Sequence, residues 1–213
     1  MVKYFLFLFW FTSAALAKDF LFIGDSHTVG FMGQGLADRI QKTQGHYVDK
    51  HAVVGASAKS WLNKYGYEKL IVEKKFDTLI IGLGTNDIAQ SCHQSALSPD
   101  FIQKILRKIP PNKDCYWIGP PGYTRGRLIN LCDSEKKYSA FVDQIKEVVQ
   151  TKCTFVDSRK FSQLTDYLAK DTVHFSEEGG AYWADHVFSQ LQKKEGGLTP
   201  PSSSQKFSVP RNQ

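Results

Sequence analysis

The 213-residue sequence predicts an α/β protein in which a parallel sheet is covered by helices on both faces. Three observations carry this. Five short apolar, β-rich runs recur along the chain, and stretches with helical spacing of apolar residues follow each of them. The third run, DTLIIGL, is apolar almost throughout. Strand alternating with helix implies right-handed βαβ crossovers, and a strand without polar alternation is buried on both faces and therefore central.

The chain begins with a segment of another kind. Lys3 precedes YFLFLFWFTSAAL, and Ala15-Leu16-Ala17 supplies an A-x-A site, so residues 1–17 read as a secretory signal peptide. The apolar stretch is short for a membrane span, and no cysteine follows it to take a lipid anchor. The exported chain is expected to begin at Lys18, with no stable membrane insertion after cleavage.

Residues 18–192 make one domain, long enough for a full core and too short for two. The first strand is DFLFIG, 19–24, followed by a helix over 30–43. The second strand, YVDKHAVV at 47–54, leads into a helix over 61–75, and the third, at 77–83, into one over 99–109. The fourth, DCYWIG at 114–119, precedes a helix over 135–150; the fifth, CTFVD at 153–157, precedes the last helix, 177–192. Residues 193–213 are rich in Gly, Pro, Ser and charge, which predicts a disordered tail.

The net charge of +6 is mild. It suits an anionic envelope surface or acidic glycan, or simply a soluble basic surface, and no arginine-rich helix or aromatic-basic ladder points to nucleic acid. Four cysteines, Cys92, Cys115, Cys132 and Cys153, follow the leader, and an even count behind an export signal predicts disulfides in an oxidising compartment. No C-x-x-C occurs and the spacings of 23, 17 and 21 suit no zinc site. No metal or cofactor is expected.

Ligands of an open parallel sheet bind beyond the carboxyl ends of its strands. Four polar or glycine clusters stand there: Gly24-Asp25-Ser26-His27, Val54-Gly55-Ala56-Ser57, Gly84-Thr85-Asn86-Asp87 and Asp171-Thr172-Val173-His174. Ser26 by itself has two readings. A serine between strand and helix is a good N-cap, and the same place suits a nucleophile whose oxyanion is stabilised by helix-terminal N–H groups. A serine needs a base, and the base an orienting group; Asp171-x-x-His174 offers both in one loop. Donors to the oxyanion are the Asn86 amide, the Gly55 N–H and the Ser26 N–H. His27 is read as a rim residue, because adjacent side chains on a tight turn point apart.

Gly24-Asp25-Ser26, Gly55, Gly84-x-Asn86-Asp87 and Asp171-x-x-His174 resemble, in order, the four signature blocks of the SGNH (GDSL-like) hydrolase superfamily. The resemblance runs from about Asp19 to Gln192, and Trp117-Ile118-Gly119-Pro120-Pro121 is similar to the family's fourth strand. It implies a flavodoxin-like three-layer α/β/α fold with a five-stranded parallel sheet and serine ester hydrolysis. Residue by residue, it makes Ser26 the nucleophile, His174 the base, Asp171 its orienter, and Gly55 and Asn86 oxyanion donors. His27 departs from the leucine common in the family.

The expected function is an exported serine esterase that removes small acyl groups, O-acetyl foremost, from a carbohydrate such as cell-wall glycan. A lysophospholipase or thioesterase, an O-acetyltransferase using the same triad, and a non-catalytic binding module are the alternatives. Arg125 and Arg127, in the loop GYTRGR, are expected to touch an acidic or sugar substrate. Cys115 and Cys153 each begin a strand, and if these strands are parallel neighbours the two pair. Cys92 and Cys132 then pair across the loops after strands three and four.

Overall fold

A computed structural model describes residues 17–43, 45–94, 97–161 and 166–195. The expected leader, except Ala17, and the tail from 196 onward lie outside the described residues. The five expected strands are present as β1 Asp19–Gly24, β2 Tyr47–Ala52, β3 Thr78–Gly82, β4 Asp114–Ile118 and β5 Thr154–Val156. All pair in parallel, in the order β2-β1-β3-β4-β5. β3 is central, and Leu79, Ile80 and Ile81 are fully buried, as an uninterrupted apolar run requires.

Nine α-helices connect and cover the strands among the described residues: α1 Ser26–Val29, α2 Phe31–Lys42, α3 Ala58–Asn63, α4 Tyr67–Glu73, α5 Thr85–Ser91, α6 Asp100–Lys108, α7 Arg127–Cys132, α8 Glu135–Val149 and α9 Glu177–Glu195. The crossover from β1 to β2 steps one way along the sheet and every later one steps the other way. Right-handed crossovers then place the first helices and the later ones on opposite faces. Accordingly α2 packs against α9 on one side, while α3, α4, α6 and α8 pack among themselves on the other. This is the three-layer α/β/α arrangement.

Register brings the site's loops level with one another. Gly24 pairs with both Ala52 and Gly82, and the ladder continues one step further, Asp25 N–H donating to Gly82 O at 3.1 Å and Val53 N–H to Gly24 O at 3.1 Å. The chains leaving β1, β2 and β3 therefore start side by side. Across the α2–α9 seam, Gly180 takes the place where a side chain would run into Phe31 Cβ and come 2.9 Å from Met32 N. Trp183 is buried at the same seam and donates to Ser158 Oγ at 3.0 Å. This close packing sets the segment before α9 against the segment before α2.

Several boundaries differ from the periodicity. The helix expected over 61–75 is two, because Gly66 adopts φ +72° between them and a left-handed residue ends a helix. The clusters after β1 and β3 enter short helices, α1 and α5, and Arg127 opens α7. Four to seven residues carry too little periodicity to announce a helix. The last helix extends to Glu195, three residues into the stretch expected as tail.

Both expected disulfides are present. Cys115–Cys153 joins β4 to the chain entering β5 with Cα atoms 4.7 Å apart, and Cys92–Cys132 joins the end of α5 to α7 at 4.5 Å. No helix among the described residues is long and apolar enough to cross a membrane. Cys115 and Cys153 are 38 residues apart, and releasing that loop in the unfolded chain corresponds to about 4 kcal/mol of stability. The Cys115→Ala/Cys153→Ala double variant is therefore expected to unfold at a much lower urea concentration, as followed by circular dichroism.

Candidate active site

Asp25 is the first determinant of the site. It is buried at the end of β1, and its Oδ1 accepts from the His27 N–H at 3.0 Å, which makes it the N-cap of α1. Ser26 is therefore not the cap, and its hydroxyl is left for another partner. The N–H groups of Ser26 and Gly55 meet no acceptor among the described residues.

Asp171 and His174 lie in the irregular turn at the tip of a short hairpin. An antiparallel bridge joins Leu168 and Phe175, with Ala169 N–H donating to His174 O and Ser176 N–H to Tyr167 O, each at 2.8 Å. At its tip Thr172 has φ +58°, a left-handed conformation that costs a β-branched residue roughly 1–3 kcal/mol. The turn it forces lets Asp171 Oδ1 accept from the Val173 and His174 N–H groups at 3.0 and 2.9 Å. Asp171 Oδ2 is left for the ring of His174, 2.6 Å from Nδ1.

The other ring nitrogen reaches Ser26. His174 Nε2 lies 2.8 Å from Ser26 Oγ, across 148 residues of sequence. Because Asp171 holds the proton on Nδ1, Nε2 is the acceptor that faces the hydroxyl. Partial burial opposes the charge on Asp171, but hydrogen bonds from the His174 ring and from the His174 and Val173 N–H groups outweigh it and hold the carboxylate down to about 2. It stays ionised across the neutral range. Such a chain of groups can take the hydroxyl proton and return it to a leaving group.

The remaining two blocks meet the first one. Asn86, in the first turn of α5, donates through Nδ2 to Ala56 O at 3.0 Å and stands 3.5 Å from Asp25 Oδ2. The loop after β2 is thereby tied to α5 and to the residue before Ser26. Gly55 precedes Ala56 with φ +74°, exposed, with open space around its α-carbon. Beside it Asp87 Oδ1 accepts from Ala58 N–H at 2.9 Å.

His27 differs from the rim position expected of it. Its ring is buried, 5.2 Å from the rings of both His174 and Trp183 and 5.8 Å from that of Phe175. A cavity of about 140 Å³ opens beside these groups, lined by Ser26, Phe31, Met32, His174, Phe175 and Trp183. A larger groove of about 790 Å³ lies between α6 and α8, away from Ser26. Arg125 and Arg127 are exposed, and their loop is attached to the hairpin by the Arg127 N–H, which donates to Thr172 Oγ1 at 3.0 Å.

A family model described as the GDSL-like lipase/acylhydrolase family matches residues 22–182. No curated protein matches the sequence. Among solved structures, the chain is similar to a lipase/acylhydrolase from Enterococcus faecalis, with TM-score 0.67 and 17% identity over 87% of this chain and 100% of that one. It is also similar to a catalytic mutant of an acetylxylan esterase from Geobacillus stearothermophilus, with TM-score 0.63 and 19% identity over 82% and 94% of the two chains. A third structure, of an acetyl xylan esterase, gives TM-score 0.64 and 17% identity over 81% and 99%. At these identities the likeness is one of fold.

Burial pushes the Asp87 carboxyl up to about 6, so the native state holds its proton over a range in which the unfolded chain has lost it. Ionising Asp87 therefore destabilises the fold as pH rises from about 4 to about 6. Asp87→Asn cannot ionise, and its stability relative to the parent is expected to increase over that window and to level off above it. Urea unfolding of both proteins between pH 4 and 8 measures the difference; an increase toward low pH contradicts the assignment.

Proposed function

The chain belongs to the GDSL-like lipase/acylhydrolase family and is an SGNH-type ester hydrolase; from that premise we propose that Ser26 is its nucleophile and that it is an exported esterase removing O-acetyl groups from a carbohydrate. The observation that carries the proposal is the continuous chain from Asp171 Oδ2 to His174 Nδ1 at 2.6 Å and from His174 Nε2 to Ser26 Oγ at 2.8 Å. His174 removes the Ser26 proton as Oγ attacks the ester carbonyl, and Asp171 stabilises the imidazolium that results. The tetrahedral oxyanion is met by the N–H groups of Ser26 and Gly55 and by Asn86 Nδ2, whose 3.5 Å contact with Asp25 is the longer of its two and the readier to yield. His174 then protonates the departing sugar alkoxide. Water attacks acetyl-Ser26 while His174 takes its proton, and acetate leaves with the serine restored.

Size and access support the substrate. A cavity of about 140 Å³ beside Ser26 suits a small acyl group better than a long chain. His174 and Asp171 are 39% and 51% exposed, so water reaches the acyl-enzyme, which favours hydrolysis over transfer to another acceptor. The fold is shared with acetylxylan esterases. Exposed Arg125 and Arg127 beside the hairpin are assigned to a sugar or carboxylate of the glycan. Two disulfides fit an oxidising compartment and so support export.

One observation favours a second reading. Val29, Phe31 and Val54 are large apolar side chains left exposed, the first two close after Ser26 and the third beside Gly55. An apolar border at the mouth suits a longer acyl chain lying along the surface, as a lysophospholipase or thioesterase needs. Hydrolysis of p-nitrophenyl acetate with little activity beyond butyrate supports the acetyl esterase; a rate rising with chain length supports the lipid reading. Acetate release from acetylated peptidoglycan and xylan identifies the acceptor.

Ser26→Ala is expected to lower turnover by about 10⁴-fold or more while the melting temperature is kept, because Asp25 and not Ser26 caps α1. His174→Ala should lose nearly as much, with little further loss in the double variant, and Asn86→Ala about 10²–10³ in kcat. A fluorophosphonate is expected to label Ser26 in the parent and not in His174→Ala. Labelling of another residue removes Ser26 from the mechanism. Arg125→Ala and Arg127→Ala should each lower kcat/KM on polymeric glycan and leave p-nitrophenyl acetate unaffected.

A further inference from the structure

We infer that His27 and Tyr123 act as positioning residues for the base: through a buried hydrogen-bond chain, His27 to Tyr123 to the carbonyl of Val173, they hold the peptide that begins His174. The inference rests on the reading of His174 as the base of Ser26.

Tyr123 Oη lies 2.6 Å from Val173 O and 3.3 Å from His27 Nε2. A phenol has one proton to give. The carbonyl can only accept, and its short contact takes that proton. Tyr123 must therefore accept from His27, and Nε2 is the nitrogen of His27 that carries hydrogen. Both side chains are buried. Burial, with the neighbouring His174 charge second, lowers His27 to about 3, and burial raises the Tyr123 phenol well above its ordinary value. The imidazole stays neutral and the phenol stays protonated, so the direction of the chain is the same at every working pH.

The carbonyl of Val173 and the N–H of His174 belong to one planar peptide. Tyr123 holds the first and Asp171 Oδ1 the second, at 2.9 Å. At its other end His27 is anchored through its own N–H to Asp25 Oδ1, one residue from Ser26. The helix of the nucleophile and the loop of the base are thus joined twice, once at the surface by Ser26 and His174, and once beneath by His27 and Tyr123. The surface join must break and re-form in each turnover. The buried one does not, and it holds a loop whose Asp171 is half exposed. A leucine at position 27 fills the space without giving Tyr123 its donor. A neutral imidazole does both, and it adds no charge beside His174 when that ring becomes an imidazolium.

The test uses the intact enzyme with p-nitrophenyl acetate and a fluorophosphonate. Tyr123→Phe keeps the ring and removes the hydroxyl; it is expected to lower kcat by about 10- to 100-fold, to leave KM within about twofold, and to slow labelling of Ser26 in parallel. His27→Leu should lose about tenfold, and His27→Gln, whose amide can donate to Tyr123, should recover most of it. The downfield proton resonance between His174 and Asp171 should shift or broaden in Tyr123→Phe. A side chain that served folding alone would lower the melting temperature and leave kcat, the resonance and the difference between Gln and Leu unmoved, and that result overturns the inference. Should Tyr123→Phe fail to fold, the comparison of His27→Gln with His27→Leu decides. If the parent labels at a residue other than Ser26, the reading of the base fails and the inference with it; if the parent labels at Ser26 while Tyr123→Phe labels and turns over as fast, only the inference fails.

Discussion

The carboxylate of Asp25, sealed beneath the carboxyl end of β1, is the joint on which the site depends. Its backbone N–H continues the ladder to Gly82 of β3, Oδ1 caps α1, and Oδ2 faces the Asn86 amide on α5. One residue thereby sets the distance between two strands and the helices that leave them. Burial, with the Asp87 charge a lesser cause, pushes Asp25 up to about 7, against hydrogen bonds from the backbone that pull it down. A less buried aspartate would ionise at lower cost but would tie fewer elements together. Because Asp25 caps the helix, the hydroxyl of the neighbouring serine is left to meet His174.

His174 arrives from the opposite end of the chain and is held by different means. The hairpin from Tyr167 to Ser176 carries Asp171 and His174, and α9 follows it directly onto α2, which itself follows α1. Gly180 allows those two helices to approach closely enough for the hairpin to meet Ser26. Within the hairpin, the left-handed Thr172 is compensated by the two N–H groups that Asp171 gathers and by the Arg127 N–H on the Thr172 hydroxyl. The strain bends a three-residue offset so that one carboxylate reaches both backbone and imidazole.

Around this frame the rim divides by chemistry. The border formed after β1 and β2 carries Val29, Phe31 and Val54, and the loop after β4 carries Arg125 and Arg127. Between them the cavity beside Ser26 is narrow and walled by aromatic rings. The size of this cavity is what the proposed small acyl group rests on, and the mixed rim is where its acceptor is proposed to lie. Trp183 and Phe175, which line that cavity, also belong to the core, so the cavity and the fold share the same side chains.

Much of this was legible in the sequence. The five strands are recognisable because short β-rich runs of five to eight residues alternate with stretches of helical periodicity, and the nearly continuous third run placed β3 at the centre. Ser26, Asp171, His174, Gly55 and Asn86 are local features at strand ends, and a parallel sheet brings its strand ends together. The short helices α1, α5 and α7 were not legible, since one or two turns carry no period. Nor was the division of duties between Asp25 and Ser26: both are good caps, and only the backbone direction at the end of β1 decides which side chain meets the helix. His27 was misplaced for a related reason, since whether a side chain beside Ser26 points out or in depends on Tyr123, Phe175 and Trp183, all about a hundred residues or more away in sequence. Sequence by itself determined which residues were available and at which strand ends they stand, because those follow from local pattern. Tertiary structure decided which hydroxyl is free of the helix cap, which ring nitrogen faces it and what lies beneath His174, because each of these is settled by distances across the fold.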